Sequence, residues 1–121
     1  MSKLLGNVAE SVVAHYLEKE GFTILAKNYM SRLGEIDLIG LKKEILIFVE
    51  VKQRTKSYFD LGELVTTSKQ KKIIATAKYF LLNNEHSDKT YRFDVALLEG
   101  ALPASKLTYI PNAFTENEGR L

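Results

Sequence analysis

The chain has 121 residues, 45% of them apolar and 26% charged, which is the profile of a globular domain built on one core. With no cysteine, no tryptophan, seven glycines and two prolines, it cannot be a disulfide scaffold, a thiolate metal site, a thiol enzyme or a collagen-like chain. The net charge is only +2, and His15 and His86 lie too far apart in sequence to suggest a histidine zinc site, so any chemistry falls to carboxylates, lysines, hydroxyls and a hard cation.

Residues 4–19 place Leu5, Val8, Val12, Val13, Tyr16 and Leu17 at three- and four-residue steps, predicting an amphipathic helix that stops at Gly21. Phe22 to Tyr29 predicts a short strand and Ser31 to Gly34 a turn. Glu35 to Leu41 and Ile45 to Gln53 are rich in Ile, Leu, Val and Phe and predict two strands, reversing at Lys42-Lys43-Glu44. Arg54 to Gly62 reads as a polar loop carrying Tyr58 and Phe59, a pair able to stack on bases or to plug the core. A second helix opens near Thr67 or Ser68, either suited to be its N-cap, with Ile73, Ile74, Ala77, Phe80 and Leu81 as its apolar stripe. Thr90 to Leu98 and Leu107 to Ile110 complete the strands. The reading gives one domain over 1–110, with 111–121 as a loose C-terminal tail. The order α-β-β-β-α-β-β predicts an α/β fold, a central mixed sheet of about five strands flanked by helices. No stretch reaches the ~7–15 apolar residues of a signal peptide or the ~20 of a membrane span, so the expected location is cytoplasmic, with no membrane partner.

The small net charge is unevenly spread. From Lys42 to Lys78 there are nine Lys and Arg against four Asp and Glu, a local +5. On charge alone a solvated helix face and loop is the readier account, and Lys71 and Lys72 read as such a face; yet three lysines with Lys69 at a helix N-terminus, where cations are unfavourable, hint at an anionic partner.

Strand parity singles out a constellation. On the third strand Glu50 and Lys52 share a face with Leu46 and Phe48, because side chains alternate. If Lys42 pairs with Ile45 around a two-residue loop, Asp37 falls across from Glu50 on that same face. A four-residue loop keeps the face; a three-residue loop without a bulge reverses it. Asp37, Glu50 and Lys52 together would form a hard-cation site with an adjacent ammonium, the Val51 carbonyl being a further candidate ligand. Such an ion acidifies bound water and shields charge on a phosphoryl oxygen, and Lys52 would orient the water or stabilise the transition state. Glu-x-Lys alone recurs by chance about once per 250–300 positions and on its own reads more readily as a cross-face ion pair than as a site; Asp37 on the preceding strand is what adds specificity. Arg92 and Asp94, alternating with Phe93 and Val95, read as a structural pair, and His15 as a surface residue.

Asp37 followed by Glu50-Val51-Lys52 resembles the signature of the PD-(D/E)xK nuclease superfamily. More broadly, Ala9-Glu10, Gly21-Phe22, Asn28, Gly34-Glu35-Ile36-Asp37-Leu38-Ile39, Phe48-Val49-Glu50-Val51-Lys52 with Arg54, Gly62, Val65, Lys69 and Arg92-Phe93-Asp94 occur in the order of the YraN-like family of predicted endonucleases. That family is similar to archaeal Holliday-junction resolvases, and the match spans residues 6–98. The resemblance implies a restriction-endonuclease-like core and metal-dependent hydrolysis of DNA phosphodiester bonds, in branched or single-stranded DNA. It implies Mg²⁺ or Mn²⁺ held by Asp37, Glu50 and Glu10, Lys52 as the catalytic lysine, and nucleic-acid contacts from Arg54 and Lys69. Gln53 is a weaker candidate for the same site. Glu10 enters only through the resemblance; by periodicity alone it is a solvated helix residue. Ile36 stands where the superfamily's name has proline. The two-fold substrates of resolvases imply a homodimer by analogy. The alternatives are a nucleic-acid-binding module of the same fold that does not cut, and a protein-interaction domain.

Overall fold

The computed structural model describes residues 3–54, 64–86, 88–100 and 105–116, with side chains from residue 8 onward. The elements are α1 (Lys3–Lys19), β1 (Thr23–Ser31), β2 (Gly34–Lys42), β3 (Ile45–Arg54), α2 (Thr67–Leu82), β4 (Thr90–Glu99) and β5 (Lys106–Phe114). The five strands lie in sequence order in one sheet. Only β3 and β4 are parallel, because only their connection carries a helix; the other neighbours are antiparallel. The expected α/β fold with a five-stranded mixed sheet is therefore the observed one.

The two helices cover opposite faces. Ala9, Val13, Ala14 and Leu17 of α1 meet Leu38, Ile47, Val49, Ala96 and Leu98. Ile73, Ala77 and Phe80 of α2 meet Ile36, Ile39, Phe48, Phe93, Val95 and Leu97. Central strands covered on both sides must be apolar on both sides, and Leu46 to Val49 are fully buried without alternation. Each such side chain contributes about 1.5–3 kcal/mol by leaving water. The α1 stripe is rotated from the expected one: Ala9 and Ala14 face the sheet, Val12 and Tyr16 are partly buried, and Val8 lines an open surface hollow with exposed His15. Small alanines let the helix settle close, which a count of large apolar residues does not anticipate.

Two boundaries also differ. The α2 N-cap is Thr66, whose hydroxyl accepts from the Lys69 N–H at 3.2 Å, so Thr67 and Ser68 lie inside the first turn. β5 does not end at Ile110 but continues through Pro111 to Phe114. β5 is an edge strand, where a proline costs no ladder bond, and it bulges there: one residue of β4, between Phe93 and Val95, faces three of β5, between Ile110 and Phe114. Tyr58, Phe59 and the rest of 55–63, like 117–121, lie outside the described residues.

The β1–β2 turn is locked onto α2. Thr76, fully buried, donates to the Lys72 carbonyl at 2.8 Å, and Ser31 donates to the Thr76 hydroxyl at 3.4 Å. Gly34 sits against this pair with φ +156°, and a Cβ there would lie 3.1 Å from Thr76 Oγ1 and 3.3 Å from the Lys72 carbonyl oxygen. Gly34→Ala is expected to cost about 1–3 kcal/mol in urea unfolding, while Leu33→Ala, on the exposed turn, costs under about 0.5 kcal/mol. Equal effects would show that the turn does not depend on this close approach. No described helix is long and apolar enough to cross a membrane.

Candidate functional site

The β2–β3 hairpin closes on a two-residue turn at Lys43-Glu44, with Lys42 paired to Ile45. This is the parity that puts Asp37 level with Glu50. The ladder runs from there to Leu38↔Val49 and then stops. One step further, the Asp37 carboxylate takes over from the backbone and accepts from the Val51 N–H at 2.8 Å. Ile36 and Ile39 both belong to the α2-side core, so strict alternation breaks between them, at Asp37. The break sets this carboxylate at the open end of the sheet, between the two helical layers.

Neighbouring strands bring further polar groups to the same level. The pairs Lys27↔Leu38 and Tyr29↔Ile36 bracket Asn28 opposite Asp37. Asn28 has φ +52°, a left-handed conformation that asparagine tolerates better than most residues, and its side chain donates to the Glu10 carboxylate. Glu10 of α1 thus reaches the site from the opposite layer to α2. It is half-buried, not solvated as its periodicity suggested.

The electrostatics are unfavourable for carboxylates alone. Asp37 is only 9% exposed and Glu50 5%. Burial first, then the Glu50 charge, pushes the Asp37 carboxyl up to about 7, against the lowering effect of the Val51 N–H; Glu10 and Glu35 add to the rise. Glu10 is also raised, by burial before all else, with Asn28 and Lys27 opposing. Counter-charge comes from two ammonium groups on one oxygen: Lys52 Nζ is 3.4 Å and Lys69 Nζ 3.5 Å from Glu50 Oε2. Lys52 is 28% exposed and Lys69 41%, so each keeps access to solvent. Arg54 is exposed at the end of β3, on the face of Glu50 and Lys52.

The structure therefore brings Asp37, Glu50, Lys52 and Lys69 together, with Glu10 beside them. Among the described residues, no three His, Cys, Asp or Glu side chains form a group that could hold a metal ion. The donor set nonetheless suits a hard divalent cation: two buried carboxylates repel each other, and Mg²⁺ typically takes one or two protein carboxylates and keeps its waters. The sequence assigned no role to Asn28, Glu35 or Arg32, and Lys72 read as part of a solvated helix face. Arg32 and Lys72 join Lys69 along a cavity of about 390 Å³ between the β1–β2 turn and the start of α2. The one available signal was that Asn28 and Glu35 fall inside matched motif blocks.

Fold and site together define a small α/β domain whose acidic residues converge, with lysines, where two central strands part. The uncharacterised protein family UPF0102 matches residues 9–98, and the chain belongs to that family. A UPF0102 protein of Caldanaerobacter subterraneus is 40% identical over 116 residues, covering 93% of this chain and 95% of the relative. One of Clostridium perfringens is 42% identical over 120 residues, covering 93% and 95%. One of Clostridioides difficile is 40% identical over 114 residues, covering 93% and 98%.

Proposed function

We propose that the chain is a metal-dependent endonuclease of the PD-(D/E)xK type, hydrolysing phosphodiester bonds in DNA, branched or single-stranded. The observation that carries this reading is the buried Asp37–Glu50 pair with Lys52 at 3.4 Å, on strands otherwise filled by apolar side chains. Two carboxylates and an amine at one spot are costly to fold and match the needs of phosphoryl chemistry. Asp37 and Glu50, with Glu10 beside them, would hold Mg²⁺ or Mn²⁺. When bound, the ion would supply charge neutralisation at the phosphoryl oxygen and acidify a water.

The remaining work belongs to the chain. Lys52, fixed by Glu50, presents a proton donor where charge builds on the phosphate. Lys69, Lys72 and Arg32 line the adjacent cavity and fit a phosphate backbone entering from the α2 side. Arg54 extends the same positive track beyond Lys52. The test is a panel of linear, single-stranded and four-way-junction DNAs with Mg²⁺ or Mn²⁺. The expected result is cleavage of at least one substrate, reduced about 100-fold or more by Glu50→Gln and by Lys52→Met. Undiminished cutting by Glu50→Gln protein would overturn the assignment.

A second reading has its own support. Glu50 Oε2 already carries two ammonium groups, an arrangement that also suits a binding module without cleavage. That reading expects salt-dependent DNA affinity, no metal-dependent product, and no heat of Mn²⁺ binding lost on Asp37→Asn.

A further inference from the structure

The opposite end of the sheet, on the α1 face, holds a cavity of about 480 Å³, a size that suits a small organic ligand. It lies by the last turns of α1 and the β2–β3 turn. Arg92, in its wall, pairs with Ile47 of β3, which packs on the α1 side, whereas Glu50 lies three residues further along and faces α2. The two sites are thus on different faces, offset by about 10 Å along the strand.

Arg92 is unusually well fixed for a surface residue. Its Nε donates to the two oxygens of Asp94 at 3.0 and 3.2 Å. Asp94 is completely buried and also accepts from the Tyr109 hydroxyl at 2.5 Å and the Asn112 N–H at 2.8 Å. The carboxylate is saturated, so the guanidinium plane is set. Both Asp94 contacts use Nε, and Nη1 and Nη2 have no partner among the described residues. The side chain is 31% exposed and lines this cavity as well as a second one along β5. Lys43, in the hairpin turn, adds a second cation at the rim, while Lys42 is engaged with the Glu20 carbonyl at 2.7 Å. Three aromatic rings line it beside Leu17, Ile45 and Pro111: Tyr16 and Tyr109, with ring centres 5.5 Å apart, and Phe22, which carries Lys42 Nζ 5.6 Å from its ring centre on one face.

A preset arginine fork beside aromatic faces selects for a ligand with both an anionic oxygen group and a flat ring. We propose that this cavity binds a base-bearing phosphate monoester, a nucleotide either free or at the 5′ end of a strand. The phosphate would sit on Arg92 Nη1, Nη2 and Lys43, and the base against Tyr16 and Phe22. Glu20, on the same wall, would accept from a base amino group or a sugar hydroxyl. Inorganic phosphate would leave the aromatic walls unused, and a neutral nucleoside would leave the fork unused. The proposal does not depend on the nuclease reading.

Amide NMR titrations of the full chain with AMP, adenosine, inorganic phosphate and a 5′-phosphorylated trinucleotide test it. AMP is expected to shift Tyr16, Phe22, Lys43 and Arg92 saturably, with at least roughly tenfold tighter binding than phosphate or adenosine. Lys43→Asn and Tyr16→Ser should each weaken AMP about fivefold, and Arg92→Lys about tenfold, since lysine keeps the charge beside Asp94 but loses the fork. Tighter binding of the trinucleotide than of AMP assigns the site to strand ends, and equal or weaker binding to free nucleotides. Equal affinities for AMP and phosphate, shifts confined to Asp37 and Glu50, or no saturable shift by about 5 mM would overturn the proposal. Lys43→Asn alters an exposed turn, so it remains informative if Arg92→Lys fails to fold.

Discussion

Asp37→Asn protein is expected to melt above the parent at pH 8, and the advantage should shrink steadily as the pH falls from 7 towards 4. Burial and the Glu50 charge raise the Asp37 carboxyl to about 7 in the folded chain, well above its unfolded value near 4. Between those values the native state holds a proton that the unfolded state has lost, so stability decreases as pH rises. Above about 7 the penalty is fully present and constant. The displacement is equivalent to roughly 4 kcal/mol at most, and about 2–4 kcal/mol is a reasonable expectation for a group with relaxed surroundings. For a domain of this size that is a Tm difference of about 8–15 °C. Asparagine has nearly the same shape, and its carbonyl can still accept from the Val51 N–H, so the comparison isolates charge.

A divalent ion should close most of that gap. At pH 8 the Asp37 carboxylate is ionised, and Mn²⁺ at about 100 times its Kd adds about 2.7 kcal/mol to the parent. Near pH 5.5 binding must displace a proton, so the same concentration gives a smaller rise. Asp37→Asn protein should gain little at either pH. Thermal scans across pH 4–8 with and without Mn²⁺ read both effects. Parallel pH profiles for parent and variant would show that Asp37 is not strained, and an equal Mn²⁺ response in both would remove it from the metal site.

Much of this site was legible because strand parity is digital. Once Lys43-Glu44 is taken as a two-residue turn, Asp37 must fall level with Glu50, and the hairpin bears this out. The turn itself carried no asparagine or glycine signal; Lys43 simply adopts φ +56°. Other groups depended on information that does not lie along the chain. Asn28 comes opposite Asp37 only because β1 shifts register between Ile24 and Ala26. Glu10 comes in because Ala9 and Ala14, not larger residues, set the rotation of α1. The Lys69 contact with Glu50 spans the parallel crossover, whose geometry no local pattern encodes. Arg92 and Asp94 were readable as a pair from their alternation, but the full burial of Asp94 was not, because its other partners are on β5.

Asp94→Ala is expected to be among the most destabilising single substitutions in the described fold. Among the described residues the carboxylate is the only charged side chain at 0% exposure, and it serves three donors on two strands. Removing it leaves the Arg92 guanidinium half-buried without its counter-charge. It also leaves the Tyr109 hydroxyl without an acceptor. Burial, and then the Asp94 charge, raise that phenol strongly, so it stays protonated and needs a partner throughout the accessible pH range. The third donor is the Asn112 N–H, in the three-residue bulge of β5 that faces Asp94 alone. Asn112 has φ +52°, and its N–H donates to Asp94 at 2.8 Å. A broken buried ion pair and two orphaned donors together cost about 3–5 kcal/mol, or roughly 10–20 °C in Tm. Asp94→Asn keeps an acceptor but not the charge and should fall between parent and alanine. Hydrogen exchange supplies the local readout: the Asn112 amide should lose protection in Asp94→Ala protein before the core amides of β3 do. A loss below about 1 kcal/mol, or unchanged protection at Asn112, would mean that the β5 bulge is held by its apolar contacts and not by this carboxylate.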